Sequence, residues 1–359
     1  MSRVVHLHIG APKTGTTYVQ DRLSLNAQEL AKHGVTYPGK GFGDPSTFHF
    51  RAALDLLDQD WGGPAGHARG AWEQMARKVR RSSGNVIISH EILAPAAPEK
   101  VAQVMRDIRG SEVHLIYSVR DLGRQLPAAW QESVKQGRRW TFQKFLDAAA
   151  EGDAWFARAF DLPRVLNTWG RNLPPSQVHL VTVPRANNPD RDLLWKRFCR
   201  SLDLDPTWAP LDSDRSNASL GIVETQLIRR LNRRMGRAAQ REAPFDQLIR
   251  QMLDSQELLS RNSRKVTLPP ERYDWATEQA ELWIDWIEGS KVDVIGDVKE
   301  LLPHRPPADS VWVDPDKVAA RPLLNAALQA LEAMTLEAAS RPDPNQLLMG
   351  RVRRKLGRD

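Results

Sequence analysis

The sequence predicts an α/β fold, a parallel sheet covered by helices on both faces and followed by a mainly helical C-terminal portion. Short β-branched apolar runs alternate with stretches of helical period as far as about residue 193, and beyond it the strand signal nearly vanishes. At 359 residues the chain has the length of roughly two domains of ~150 residues, or of one large α/β domain with additions. With 41% hydrophobic and 26% charged residues it is too apolar for wholesale disorder.

Residues 4–9 form a β-branched run broken by Gly10, the pattern of a buried strand. From Gly15 the period turns helical, with Val19, Leu23 and Leu30 on one face, until Gly34 and Pro38 stop it. Residues 39–45 read as a glycine-rich loop. Residues 86–89, 113–119 and 178–183 read as further buried strands, with 292–295 as a late one. Helices are predicted over 100–109, 122–135, 142–149 and 162–169, then over 193–204, 220–239, 245–259, 275–288 and 323–339. No repeat of fixed period is present. The proline-rich break at 303–307 divides an α/β domain, 1–302 and helix-rich after 193, from a helical extension with a basic tail, 303–359.

One cysteine excludes an intrachain disulfide and any zinc site built on several thiolates. No apolar run reaches the ~18 residues of a spanning helix. The opening MSRVVHLHIG leaves no room for a leader before the first strand, so a cytoplasmic location is expected. The formal charge is +7 with 51 Lys+Arg against 44 Asp+Glu. It suggests nucleic acid, an anionic membrane or a phosphate-like ligand as partner.

His8-Ile-Gly-Ala-Pro-Lys-Thr-Gly-Thr-Thr17 lies between a strand and a helix, where a backbone can wrap an anion and aim a helix N-terminus at it. Gly10 and Gly15 allow close approach, Lys13 supplies charge, and Thr16 and Thr17 supply hydroxyls. The competing reading is an ordinary turn with Thr14 as helix cap. A Walker A loop places its lysine directly after the second glycine, whereas Lys13 precedes Gly15 by two.

The order Pro-Lys-x-Gly-Thr-Thr resembles the 5′-phosphosulfate loop of sulfotransferases that use 3′-phosphoadenosine 5′-phosphosulfate (PAPS). The resemblance implies a P-loop-type α/β fold and a donor held at its 5′ end by Lys13, Thr14, Gly15, Thr16 and Thr17. That family's second signature is a strand-end arginine followed by a helix bearing a serine, both on the 3′-phosphate. Arg120 matches the arginine, and a guanidinium beside a helix N-terminus suits a phosphate. The serine position is occupied by Ala128, which removes one hydroxyl contact. Arg124 lies four residues after Arg120 and reads either as a second ligand or as the partner of Asp121. Arg215, in Arg-Ser-Asn-Ala-Ser-Leu-Gly221, falls where the family has a late loop returning to the nucleotide. The same stretch also reads as a helix start capped by Ser219. Residues 293–297 and 301–303 look like a closing segment of bacterial sulfotransferase-like proteins. The likeness covers about residues 3–302, with specific motifs only at 8–17 and 118–130.

Sulfuryl transfer to a hydroxyl or amine needs a group to take the acceptor's proton and a cation where the leaving oxygen gains charge. Lys13 suits the second role. Ser89-His90-Glu91 ends the second predicted strand on the loop's side of the sheet. Family members use a glutamate or a histidine in this neighbourhood; Glu91 is the first choice of base here and His90 the reserve. Neighbours on a strand point to opposite faces, so one of the two is expected to reach the acceptor. The competing reading is a helix start capped by Ser89.

The expected reaction is sulfuryl transfer from PAPS to a small-molecule, lipid, glycolipid or carbohydrate acceptor, releasing adenosine 3′,5′-bisphosphate without a metal. Residues 39–70 and the helices after 220 are the expected walls of the acceptor pocket. The alternatives are a P-loop kinase or nucleotidase, for which no strand ends in a convincing Mg²⁺-holding aspartate, and a non-catalytic polyanion- or membrane-surface-binding protein. Cys199 and Trp130 read as packing, His6 and His8 lack a third ligand, and His49 is a loop histidine that either packs or lines the acceptor pocket.

The positive charge is concentrated. Residues 229–241 carry six arginines and no acid, and 351–359 carry five bases and one acid. The rest of the chain holds 40 bases against 43 acids, so nucleic acid is not an expected partner. The first segment reads as a solvated helix face behind a stripe of Leu227, Leu231 and Met235. A peripheral membrane contact is one reading of the basic tail.

Overall fold

The computed structural model describes residues 3–39, 44–61, 63–152, 154–185, 187–213, 220–235, 263–307 and 309–340. Arg215, Ser219, residues 236–241, the predicted helix over 245–259 and the tail 351–359 lie outside them.

Six strands form one all-parallel sheet: β1 (Arg3–His8), β2 (Val35–Thr36), β3 (Gly84–Ser89), β4 (Glu112–Val119), β5 (Val178–Thr182) and β6 (Asp293–Ile295). Their spatial order is β2-β3-β1-β4-β5-β6. β1 sits among the central strands, and its Val5 and Leu7, with Ile9 just beyond it, are apolar with essentially no exposure. Each such side chain contributes roughly 1.5–3 kcal/mol by burial. Its register pairs His8 with Ser89 of β3 and with Ile116 of β4. The chain leaves β1 for β2 and β3 on one side and then crosses to β4 on the other. The carboxyl edge of these three strands is therefore the switch-point crevice where open α/β sheets bind ligands.

α1 (Thr16–Leu25), α2 (Ala27–Lys32) and α10 (Leu193–Ser201) cover one face, with Val19, Leu23, Ile87, Ile116, Trp195 and Phe198 in its core. The opposite face lies under α3 (Pro45–Leu56), α4 (Ala71–Arg81), α5 (Pro98–Asp107), α6 (Leu122–Lys135), α9 (Leu162–Trp169) and α12 (Tyr273–Ser290). The helices α7 (Phe142–Ala150) and α8 (Trp155–Phe160) complete that layer. Cys199 and Trp130 are buried packing residues, and burial pushes the Cys199 thiol up to about 12.

Several expectations need correction. The helix predicted from Gly15 to Gly34 is two helices, divided at Asn26, whose side chain bonds the carbonyls of Arg22 and Leu211. After the loop read at 39–45 no helix is predicted, yet α3 begins at Pro45, capped by Asp44 accepting from Ser46 N–H. His49 therefore lies on a helix, buried, accepting the Ser89 N–H at Nδ1 (3.1 Å) with Nε2 2.9 Å from the Pro38 carbonyl.

The arginine-rich stretch is also less uniform than expected. It begins in α11 (Ile222–Arg234), where Arg230, Arg233 and Arg234 are exposed. Arg229 is buried and bonds Gln226 and the Arg139 carbonyl, 3.7 Å from Asp316. The packed face of α11 is Thr225, Gln226, Ile228, Arg229 and Asn232; Leu227, Leu231 and Met235 are only partly covered. Beyond the proline break, Asp316 accepts from the N–H of Phe142 and Gln143, and α13 (Ala320–Ser340) lies along α11.

At the amino-terminal side of the sheet, polar side chains bridge strands across one face. His6 of β1 packs its ring on His114 of β4. His114 Nδ1 lies 2.8 Å from His179 Nε2 of β5, and His179 Nδ1 lies 2.7 Å from Asp293 of β6. His114 Nε2 lies 3.1 Å from Glu112.

Candidate active site

The loop after β1 continues the sheet before it turns. Ile9 N–H donates to the Ile116 carbonyl, Ala11 N–H to Ser118, and Ser118 N–H to the Gly10 carbonyl. The backbone then takes left-handed φ at Gly10 (+90°), Lys13 (+66°) and Gly15 (+84°). A lysine in that region is uncommon and costs of order 1 kcal/mol, a strain found at ligand-binding turns. The glycines are fixed by space as well. A Cβ at Gly10 would stand 2.5 Å from Glu91 Cβ, and one at Gly15 would stand 2.5 Å from Leu194 Cδ2 on α10.

Thr14 does not cap α1. Its hydroxyl donates back to the Ala11 carbonyl at 2.6 Å, tightening the loop, and the N-cap is Gly15 without a side-chain acceptor. The first-turn N–H groups of α1, at Thr16 and Thr17, therefore have no side-chain cap at the positive end of the helix dipole. Thr16 is buried and Thr17 exposed.

β4 ends against the same loop. Arg120 donates from a terminal nitrogen to the Lys13 carbonyl at 3.2 Å, while its Nε is buried without a hydrogen-bond partner. Burial, together with Arg124, pushes the Arg120 pKa down to about 10. A desolvated guanidinium with an unused donor is a group that gains from an anion.

Arg124 is turned away. It pairs with Asp121 and bonds the Pro184 carbonyl at 3.0 Å, tying α6 to the end of β5. Of its two readings, the Asp121 partnership is the one the geometry displays. Ala128 is half-buried on α6.

The turn after β3 brings the third group. His90 and Glu91 lie beyond the strand, not on it, so strand alternation does not govern them. The short 3₁₀ turn Glu91–Leu93 is capped by His90, not by Ser89: His90 Nδ1 accepts the Ile92 N–H at 3.3 Å and the ring stacks on Phe50. Glu91 faces the loop. Its backbone abuts Gly10, and its carboxylate accepts from Gln20 Nε2 at 3.0 Å, 3.8 Å from His90. Burial alone would raise the Glu91 carboxyl, but His90, its own backbone N–H, Gln20 and Lys13 pull it below the usual range. Burial holds His90 below its ordinary value.

Two further features were invisible in the sequence. Lys13 Nζ pairs with Glu132 of α6 at 2.6 Å, and Lys135 shares that carboxylate at 2.7 Å. Burial opposes ionisation of Glu132, but the two lysines bring its carboxyl down to about 2. Beneath the loop, His8 is fully buried with Nδ1 2.8 Å from Ser89 Oγ and Nε2 3.2 Å from Ser118 Oγ. One imidazole thus joins the ends of β1, β3 and β4. No motif signals the Lys13 partnership, which spans 119 residues. The period-2 placement of His8 marks only a strand residue.

Lys13 to Thr17, Glu91 and Arg120 thus lie together past the ends of β1, β3 and β4, with His90 beside Glu91 and Arg124 held by Asp121. Among the described residues no helix is long and apolar enough to cross a membrane. No family model, curated protein or solved structure matches the chain.

Proposed function

We propose that the chain is a PAPS-dependent sulfotransferase. The observation that carries this reading is the pairing of two anion-seeking groups on adjacent strands: Lys13 in its left-handed loop, and Arg120 with an unused buried donor against that lysine's carbonyl. Such a pair suits a ligand with anionic groups at two ends, and adenosine 3′-phosphate 5′-phosphosulfate is one.

The residues fit the donor in stated roles. Arg120 pairs with the 3′-phosphate, and the N–H groups and hydroxyls of Thr16 and Thr17 hold the 5′ end. Glu91, ionised at neutral pH, takes the proton of the acceptor hydroxyl as its oxygen forms a bond to sulfur. The bond between sulfur and the bridging phosphate oxygen breaks in line, and that electron pair leaves with adenosine 3′,5′-bisphosphate. Lys13 neutralises charge developing on the leaving oxygen. The committed Nδ1 of His90 and its stacking on Phe50 favour Glu91 as base over His90. The acceptor is a hydroxyl or amine of a small molecule, lipid or carbohydrate, and the site acts from the cytoplasm.

Calorimetric titration with adenosine 3′,5′-bisphosphate tests the reading. The wild-type protein should bind it, Lys13→Ala and Arg120→Ala should each weaken binding at least tenfold, and Glu91→Gln should bind normally while losing turnover. Turnover should survive EDTA, which a Mg²⁺-dependent kinase would not. A wild-type protein that fails to bind the bisphosphate overturns the proposal.

A further inference from the structure

Gln20 lies on α1 one turn after Thr16, on the same side of the helix, and is only 7% exposed. Its Nε2 stands 3.0 Å from Glu91 Oε2, 3.4 Å from the Ser89 carbonyl and 3.3 Å from Ser89 Oγ. An ionised carboxylate and a carbonyl can only accept, so the amide must turn its nitrogen towards both. One amide hydrogen serves Glu91, and the other is shared by the carbonyl and hydroxyl of Ser89.

The same donor sets the direction of a longer chain of bonds. With Ser89 Oγ accepting from Gln20, its own hydrogen is free for His8 Nδ1 at 2.8 Å, and His8 Nε2–H then points to Ser118 Oγ at 3.2 Å. That polarity needs a neutral His8, which burial favours.

The cationic neighbours of Glu91 are engaged elsewhere. Lys13 is held by Glu132. His90 is uncharged at neutral pH because burial lowers its pKa, and its Nδ1 accepts the Ile92 N–H. At 3.8 Å that nitrogen therefore offers Glu91 no proton. Among the described residues, the side-chain hydrogen bond that Glu91 receives comes from Gln20.

We infer that Gln20 is a positioning residue for sulfuryl transfer: it holds the Glu91 carboxylate by Oε2 and fixes its plane for removal of the acceptor's proton. The inference rests on the sulfotransferase reading, in which Glu91 is the base. A neutral amide suits the task chemically. It favours the ionised carboxylate by donating to it, yet adds no positive charge that would make Glu91 a poorer base. The Glu91 side chain keeps 22% of its surface exposed, so holding it from the α1 side does not seal it off.

Carbon-13 titration of the glutamate carboxyls, with Glu91 assigned by its loss in Glu91→Gln, tests this together with turnover. Gln20→Met keeps the bulk of the side chain and removes the donor, so Glu91 should titrate about one pH unit higher than in the wild-type protein. Gln20→Lys returns a donor and adds charge, so Glu91 should titrate lower than in the wild type. A packing defect would not move the two variants in opposite directions. Hydrolysis of PAPS, with water as the acceptor, should slow about tenfold in Gln20→Met at neutral pH, with affinity for adenosine 3′,5′-bisphosphate within about twofold of wild type. A Glu91 titration unmoved, or moved the same way by both variants, overturns the inference, and so does undiminished hydrolysis. A wild-type protein that fails to bind the bisphosphate removes the sulfotransferase reading and this role with it; normal binding with an unmoved Glu91 removes the role alone.

Discussion

Glu132 decides how much of Lys13's charge reaches a ligand. The 2.6 Å pair sets an ionised carboxylate beside the one loop cation, and Lys135 returns only part of the lost charge. An anion arriving at the loop meets a competitor for Lys13 and a like charge a few ångströms behind it. Glu132→Gln keeps the shape and removes the charge. It should tighten adenosine 3′,5′-bisphosphate binding several-fold, about 1 kcal/mol, the scale of a partly exposed ion pair. Calorimetry on the variant would show it, and unchanged or weaker binding would mean that Glu132 positions the lysine instead. The place of Lys13 in a loop between strand and helix was legible in Pro12-Lys-Thr-Gly-Thr-Thr17, but its partner was not, because helix spacing carries no information about which distant strand end a helix will face.

Among the elements, the ends of β1, β3 and β4 act as one unit through His8. Burial lowers its pKa to about 4, against an ordinary value of 6.5, and does the same to His6; His49, equally buried, falls to about 3. The unfolded chain therefore takes up protons below pH 6.5 that the native chain refuses until about pH 4. Stability from this source is complete above pH 6.5 and is lost as the pH falls from 6.5 towards 4, by up to ~1.4 kcal/mol per pH unit for each group. Urea unfolding at a series of pH values should show that slope, and His8→Gln should flatten it by about one group's share. The strands themselves were readable from their β-branched runs, because buried parallel strands are nearly continuous apolar segments. α3 was not, because the glycines before it masked a helix start that Asp44-Pro45-Ser46 spells out by side-chain capping. The turn after β3 was half legible. Its place at a strand end was right, but alternation misjudged how His90 and Glu91 diverge, since a 3₁₀ turn and not a pleat separates them.

Across the whole molecule, charge and chemistry are set apart. The strongly basic segments lie in α11 and in residues outside the described ones, while Lys13 and Arg120 stand at the carboxyl edge of the sheet, within a remainder of the chain that is slightly acidic. Net charge therefore does not describe this edge of the sheet, where burial leaves an Arg120 donor without a partner. The opposite edge holds the bridge from Glu112 through His114 and His179 to Asp293. Its consequence is mechanical. The row of side chains stitches β4, β5 and β6 together at the edge away from the loop after β1, with His114 and His179 2.8 Å apart and Asp293 closing the row at 2.7 Å. Asp293 favours a charged His179, but burial outweighs it and lowers that pKa. The sheet is thus clamped by side chains at one edge, which leaves the loops at the other edge to vary without loosening the strands.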